Sequence, residues 1–245
     1  MLRCHPDHLD SPDDDALAAA YAWPTDVGNR PVIRANMVAA LDGGVAVDGK
    51  SADLGGPGDQ RIFAILRDLA DVLLVGAGTI RAEGYGGIRL DDERLARRHR
   101  WGLGTPPPLA VVTGGGLDRD LGIFTDSEIP PILITTTKGA ARMTGYPATV
   151  VDAGVDSVDL TRMVAELSGL GFSRVLCEGG PSLLGRLIAA DLLDELCLTT
   201  SPLTLGAGPT TLLGGVSLPA PARWRLDTLH LDEDHLFTRY ARVAA

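Results

Sequence analysis

The sequence predicts an α/β protein: a mixed, mainly parallel sheet with helices on both faces, closed by an antiparallel hairpin. Three observations predict it. Short apolar runs alternate with amphipathic helical stretches along most of the 245 residues, the pattern of strands that pair in parallel across helical crossovers. Two strands run straight into glycine and then into a helix, Asp71-Val72-Leu73-Leu74-Val75 into Gly76-Ala77-Gly78-Thr79, and Arg174-Val175-Leu176-Cys177 into Glu178-Gly179-Gly180-Pro181-Ser182-Leu183. The chain then finishes on two extended runs, 223–231 and 235–243, flanking Asp232-Glu233-Asp234, which is a hairpin signal.

Taken in order, residues 1–30 are acidic and punctuated by proline and read as an N-terminal extension packed on the body. Within them Asp13-Asp14-Asp15 opens a short helix through Leu17, Ala18, Ala19, Ala20 and Tyr21, acidic side chains favouring a helix N-terminus. Residues 31–245 read as a single domain, because no long linker divides them and nothing repeats beyond the doubled glycine junction. Residues 31–41 are extended and mostly apolar and break at Asp42-Gly43-Gly44, a strand with its exit turn. A loop from 51 to 58 leads to Asp59, which opens a helix carrying Ile62, Phe63, Ile65, Leu66 and Leu69 at helical spacing. After the first junction, 91–100 is charged, and its basic run reads as a solvated helical face. Strands recur at 109–113, 131–135 and 148–151. Residues 158–170 form an amphipathic helix behind a Ser157 cap, the second junction enters a helix over 181–190, and 193–200 is a further strand.

Composition excludes several classes of function. With 45% hydrophobic and 22% charged residues the chain can bury a full core. Its net charge of -10 argues against a nucleic-acid or anionic-membrane surface, since those partners select clustered Lys and Arg. No apolar run approaches the roughly 20 residues of a membrane span, and residues 1–15 are too polar for a signal-peptide core. A cytoplasmic protein is expected. Cys4, Cys177 and Cys197 are too few and too scattered for a disulfide framework, and Cys177 and Cys197 read as buried small hydrophobes on strands.

The glycine junctions carry the chemistry. A helix start behind a glycine turn offers free backbone N–H groups to a phosphate, and two such junctions point to a nucleotide cofactor. The dinucleotide fingerprint Gly-x-Gly-x-x-Gly is incomplete, with Arg81 at its third glycine position; strand-to-helix turns also use glycine for purely steric reasons. Glu178-Gly179-Gly180-Pro181-Ser182-Leu183 is the richer signal, gathering two glycines, an early helical proline and a hydroxyl at one strand end. No metal site is expected. His5, His8, His99, His230 and His235 lack metal-ligand spacing and read as surface or turn residues, the zinc-deaminase pattern is missing, and no Gly-x-Ser-x-Gly elbow is present. The chemistry is therefore left to a cofactor, and a hydride donor fits that gap.

The same residues, read together, resemble a known family. Ala39-Ala40-Leu41-Asp42-Gly43, Gly56-Pro57-Gly58-Asp59, Leu66-Arg67, the run from Ala70 through Gly76-Ala77-Gly78-Thr79 to Arg81, Glu178-Gly179-Gly180 and Leu193-Asp194-Glu195-Leu196 follow in order from Pro31 onward. They resemble the pyrimidine reductase domain of bacterial riboflavin biosynthesis, standing here without the deaminase domain often fused to it. That family is related in fold to dihydrofolate reductase, so the resemblance implies a dihydrofolate-reductase-like three-layer sandwich.

The resemblance further implies NADPH as hydride donor, a small-molecule aminopyrimidine as acceptor and a homodimer formed through the C-terminal strands. In the riboflavin reaction, reduction of 5-amino-6-(5-phosphoribosylamino)uracil, hydride passes to C1′ and opens the sugar to a ribityl chain. By this likeness Gly76, Ala77, Gly78 and Thr79 line the cofactor together with Glu178, Gly179, Gly180, Pro181, Ser182 and Leu183. Thr113 stands near the adenosine phosphate or simply closes its loop. Asp59 and Glu83 are the candidate catalytic carboxyls. Asp59 falls where dihydrofolate reductases hold the pterin ring, and it also reads as an ordinary helix N-terminal charge. Asn36, Asp42, Tyr85 and Arg89 are candidate substrate contacts, Arg89 as a phosphate ligand and Tyr85 as a ring that stacks on substrate or on its own neighbours. A substrate phosphate would rest on Arg89, with Arg61 or Arg81 as further cations.

The chain departs from the family on the substrate side. Glu83-Gly84-Tyr85 replaces an Asp-Asp-Pro run, Ala40 stands where many members carry Ser or Thr, and Gly44 where many carry Lys. These changes keep two alternatives open, a dihydrofolate or pterin reductase and a non-catalytic NADPH-binding protein.

Overall fold

The structure, a computed structural model, describes residues 1–5, 9–25, 28, 30–206 and 210–243. Its elements in chain order are β1 (Leu2–His5), β2 (Leu9–Asp10), α1 (Asp14–Ala20), β3 (Val32–Ala40), α2 (Pro57–Leu69), β4 (Val72–Gly76), α3 (Ala77–Glu83), α4 (Asp92–Arg100), β5 (Leu109–Val112) and α5 (Gly122–Thr125). There follow β6 (Ile132–Thr135), α6 (Thr137–Arg142), β7 (Thr149–Asp152), α7 (Leu160–Gly169), β8 (Arg174–Cys177), α8 (Pro181–Ala189), β9 (Glu195–Ser201), β10 (Trp224–Asp232) and β11 (His235–Arg242). The chain divides into two compact units. One is built from Met1–Pro24, Ile33–Arg67 and Pro181–Ala245, the other from Thr25–Val32 and Asp68–Gly180.

The second unit is the parallel half of the prediction. Its strands run in the order β8-β4-β5-β6-β7, every neighbouring pair parallel. β4 reads as an unbroken apolar run because it is covered on both faces: Val72, Leu73, Leu74 and Val75 are all fully buried. Because these strands are parallel and neighbours, their C-terminal ends line up, and the loops that follow β8, β4 and β5 all leave from one edge of the unit. That edge carries Glu178-Gly179-Gly180, Gly76-Ala77-Gly78-Thr79 and Thr113-Gly114-Gly115-Gly116.

The first unit carries the antiparallel strands. Its order is β2-β1-β10-β11-β9-β3, with β10 and β11 the expected hairpin and β3 parallel to β9. β1 adds to β10 as an antiparallel strand, with Leu2 opposite Leu231. The helix starts where expected, its Asp13 cap accepting from Ala16 N at 2.8 Å, and Leu17 and Tyr21 are fully buried. A buried cation fastens the segment: Arg34 on β3 donates to Glu195 at 2.6 Å and to the Tyr21 carbonyl at 2.6 Å, and stacks over Trp23 at 4.1 Å.

Three expectations are corrected. The basic face of α4 is not solvated, since Arg97 and Arg98 are buried. Arg97 pairs with Asp68 at 2.9 Å, and Arg98 donates to the carbonyls of Asp68, Ala70 and Thr105, so both guanidinium groups exchange water for an ion pair or backbone acceptors. The cap of α7 is Asp159 rather than Ser157: its carboxylate accepts from the N–H groups of both Thr161 and Arg162. His230 is no surface residue; it is fully buried on β10, stacked 5.6 Å from Tyr21. Among the other histidines, His99 is exposed and His235 half-buried, while His8 lies outside the described residues. Cys177 and Cys197 are buried on β8 and β9, as expected. Among the described residues no helix is long and apolar enough to cross a membrane.

Candidate active site

In the second unit the two glycine junctions meet. β4 and β8 are parallel neighbours in which Leu74 lies opposite Cys177, so the residues that leave these strands are brought side by side. The Glu178 N–H donates to the Leu74 carbonyl at 3.0 Å and the Gly76 N–H to the Gly179 carbonyl at 2.8 Å. The Gly179–Gly180 peptide is cis. A Cβ on Gly180 would lie 2.6 Å from Thr79 Oγ1, and one on Gly76 would lie 3.4 Å from Gly180 N. Gly180 is therefore required for the close approach of the two turns.

Gly78 is different. It lies in the first turn of α3 and is exposed, and a Cβ there would meet nothing within 4 Å. Glycine in a helix costs about 0.5–1 kcal/mol relative to alanine, and no packing inside the chain offsets it. The space a side chain would fill is kept open at the junction, which is what a bound ligand needs. In this respect the residues fit a dinucleotide cofactor.

Around the junctions the predicted residues divide. Glu178 is buried, and its Oε2 accepts from the Tyr85 hydroxyl at 2.8 Å, which joins a cofactor candidate to a substrate candidate. Glu83 is the last residue of α3, half-buried and followed by Gly84, whose left-handed backbone ends the helix. Arg89 is exposed, with its guanidinium against the Asp126 carbonyl at 3.2 and 3.4 Å. Thr113 is buried, and its hydroxyl closes the turn after β5 by bonding both the N–H and the carbonyl of Gly116. Ala77 is buried.

The first unit holds the other candidates. α8 continues directly from Gly180, with Pro181 half-buried, Ser182 exposed and Leu183 buried in the core. Gly214 lies against the start of this helix, where a Cβ would stand 2.6 Å from Ser182 N. Asn36 is half-buried on β3, opposite Cys197. Asp42 is spent on the backbone: its Oδ2 accepts from the N–H groups of Leu205 and Gly206, both at 2.7 Å. The Gly206 and Leu205 bonds hold its carboxyl below the usual range.

Asp59 stands half-buried in the first turn of α2. Its Oδ1 accepts from the Thr199 hydroxyl at 2.6 Å, and its Oδ2 would lie 2.6 Å from a Cβ on Gly55. Burial raises its pKa above the ordinary carboxylate value, opposed in part by the Thr199 hydroxyl and by His235. Thr199 and His235 are residues that sequence reasoning missed. No local signal marks them, because Thr199 lies 140 positions from Asp59 and reaches it only when β9 enters the sheet. The same holds for the 93-residue separation of Tyr85 and Glu178. Among the described residues no three His, Cys, Asp or Glu side chains gather as metal ligands.

Comparison with known proteins adds the following. The sequence pattern of the RibD C-terminal domain matches residues 31–237. The 2,5-diamino-6-ribosylamino-4(3H)-pyrimidinone 5′-phosphate reductase of Methanothermobacter thermautotrophicus is 26% identical over 223 residues, spanning 85% of this chain and 94% of its own. A pyrimidine reductase-like protein from Corynebacterium diphtheriae superposes with a TM-score of 0.83 at 24% identity, over 94% of this chain and 99% of its own. Dihydrofolate reductase from Enterococcus faecalis, complexed with NADP(H), has a TM-score of 0.51 at 15% identity, over 87% and 97%. The fold is therefore dihydrofolate-reductase-like, as the sequence predicts.

Proposed function

The chain belongs to the RibD C-terminal domain family, and from that membership we propose that it is an NADPH-dependent reductase of a ribosylaminopyrimidine 5′-phosphate in riboflavin biosynthesis. The end-to-end likeness to a reductase of that substrate supports the reaction. The single observation in the chain's own geometry that carries it is the meeting of two glycine junctions with open space at Gly78. The related fold that binds NADP(H) supports the choice of cofactor.

When bound at the two glycine junctions, NADPH would supply a hydride to C1′ of the sugar. Gly76, Ala77, Gly78, Thr79, Gly179 and Gly180 hold the dinucleotide, with Pro181 and Ser182 continuing the same stretch of chain. Leu183 supports that stretch from the core. Tyr85 keeps the Glu178 carboxylate in one orientation, and a preoriented group is worth more to a reaction than a mobile one. Arg89, Glu83 and Asn36 contact the substrate, Arg89 through its phosphate. Asp42 acts indirectly, by tying residues 205 and 206 to the turn that follows β3.

Reduction at C1′ also needs one proton, delivered to the atom that gives up its bond to that carbon. Asp59 is the donor in this reading. A half-buried carboxyl with a raised pKa keeps its proton closer to neutral pH than an exposed one, and the Thr199 hydroxyl fixes the orientation of its Oδ1.

The protein acts as a homodimer through the face of β9, β10 and β11 that carries Leu198, Leu229, Leu231, Leu236 and Tyr240. The strand register puts these residues on one side of the sheet, and Leu236 is 41% exposed; an apolar sheet face of this kind suits a second copy. Three free thiols suit a reducing cytoplasm. The test is the oxidation of NADPH by purified protein with the diaminopyrimidinone substrate, the corresponding uracil and dihydrofolate. Turnover of a ribosylaminopyrimidine supports the proposal, and turnover of dihydrofolate alone transfers the chain to its pterin-reducing rival.

A further inference from the structure

Arg81 occupies the position that the dinucleotide fingerprint gives to glycine, and its side chain leaves the first junction toward β5. Nη1 donates to the Ala77 carbonyl at 3.3 Å, and Nη2 donates to the Gly116 carbonyl at 3.0 Å. The guanidinium thus bridges the start of α3 to the turn that ends β5. That turn, Thr113-Gly114-Gly115-Gly116, is closed from inside by the Thr113 hydroxyl, at 3.1 Å from Gly116 N and 3.2 Å from Gly116 O. Gly114 and Gly115 are exposed, and a Cβ on either would meet nothing within 4 Å.

A fixed cation therefore stands at the rim of a turn that carries no side chains. Of the five N–H donors of a guanidinium, two are used on backbone carbonyls. The other three have no protein acceptor among the described residues. A nearby cation is committed elsewhere. Arg119 donates to the Thr144 carbonyl and stacks over Tyr146 at 4.4 Å. Two carbonyls holding a guanidinium in place lower the entropy it loses when it binds an anion, so Arg81 is prepared for a phosphate that approaches from the open side.

The order of strands says which phosphate. The junctions touch on the β8 side of β4, through Gly76 and Gly179, whereas Arg81 and Gly116 lie on the β5 side. Neighbouring strands are about 4.8 Å apart, so a dinucleotide held at the junctions and lying along the strand ends brings its far end to the β5 turn. We propose that Arg81 binds the 2′-phosphate of NADPH over the Gly114-Gly115 turn, and that this residue makes the protein prefer NADPH to NADH. The inference rests on the cofactor reading above and gives Arg81, offered by the family likeness only as a further cation for a substrate phosphate, a place on the cofactor instead. The same chemistry would suit the 5′-phosphate of the substrate, so the experiment separates the two sources.

The experiment is equilibrium binding, by titration of protein fluorescence or by calorimetry, of NADPH, NADH, 2′,5′-ADP and 5′-AMP to the wild-type protein and to Arg81→Gln and Arg81→Lys. Wild-type protein should bind NADPH and 2′,5′-ADP more tightly than NADH and 5′-AMP. Arg81→Gln should weaken the two phosphorylated ligands roughly 10- to 100-fold, the usual worth of a charge-assisted phosphate contact, with NADH and 5′-AMP changed less than twofold. Arg81→Lys should keep part of the preference, because it retains the charge but not the fork. An unchanged NADPH to NADH ratio in Arg81→Gln overturns the proposal. Equal weakening of both dinucleotides also overturns it, by reducing Arg81 to a brace for the turn. Steady-state kinetics of the same variants with NADPH and the ribosylaminopyrimidine 5′-phosphate form the second arm, in which a loss confined to the KM of the substrate overturns the proposal in favour of the substrate phosphate. Wild-type protein that binds neither dinucleotide overturns the cofactor reading as well.

Discussion

Gly78→Ala separates what the chain needs at the first junction from what a ligand needs. In the structure a Cβ on Gly78 meets nothing within 4 Å, so alanine brings no clash and restricts the unfolded chain. Glycine to alanine in a helix is worth about 0.5–1 kcal/mol. For a protein of this size, a gain of 1 kcal/mol raises Tm by roughly 2–4 °C, so Gly78→Ala should raise it by about 1–4 °C. The space it fills is the space assigned to NADPH, and misplacing a bound group by about 1 Å can cost as much as 100-fold. NADPH affinity should fall by about tenfold with alanine, and further with Gly78→Leu. Thermal unfolding without cofactor and NADPH titration on the same samples measure both effects. A higher Tm with unchanged NADPH affinity in both variants would refute the assignment of this space to the cofactor, and a lower Tm would refute the reading that the space is open.

Four further predictions concern groups whose environments are unusual. Asp59→Asn should reduce kcat by about 100-fold or more if Asp59 is the proton donor; because burial raises its folded pKa, stability falls as pH rises from the unfolded value through the folded one, so the variant should also melt higher at neutral pH. Thr199→Val removes a bond that lowers that pKa, and the alkaline limb of the kcat profile should move to higher pH; a limb that stays in place would dissociate it from Asp59. Tyr85→Phe leaves the buried Glu178 oxygen short of a donor, which costs about 1–3 kcal/mol, and kcat/KM should fall roughly 5- to 100-fold while the far-ultraviolet circular dichroism is unchanged. His230, whose pKa burial lowers to about 4, stays neutral in the fold but gains a proton in the unfolded chain below about 6.5. Stability should therefore fall as pH drops from about 6.5 to 4, by up to about 3 kcal/mol, in urea denaturation series that flatten in His230→Leu.

Much of the fold was legible in the sequence because its signals are local. The buried parallel strands of the second unit are continuous apolar runs, and the hairpin of β10 and β11 is two extended segments around an acidic turn. Both glycine junctions were visible, since each is a strand end, a turn and a helix start in sequence. What escaped detection depends on partners far along the chain. The arginines of α4 look like a solvated face until Asp68 and the carbonyls of residues 70 and 105 come within reach. β1 is only four residues, too short for the alternation of Leu2 and Cys4 with Arg3 and His5 to mark it as a strand, and it exists because β10 offers it an edge. Ser157 and Asp159 are both good caps, and the turn in which Asp159 N bonds the Ala153 carbonyl selects the second. The substrate side was least legible for the same reason. Glu178 with Tyr85, and Asp59 with Thr199, are pairs that only the folded chain brings together.

The most direct test of the central claim is a single progress curve: purified protein, NADPH and 2,5-diamino-6-ribosylamino-4(3H)-pyrimidinone 5′-phosphate, followed by loss of reduced nicotinamide and by mass analysis of the product. The account predicts one NADPH consumed for each ribityl product formed, with the product heavier than the substrate by two hydrogens. Tight NADPH binding with no turnover of this substrate or of its uracil counterpart would contradict it.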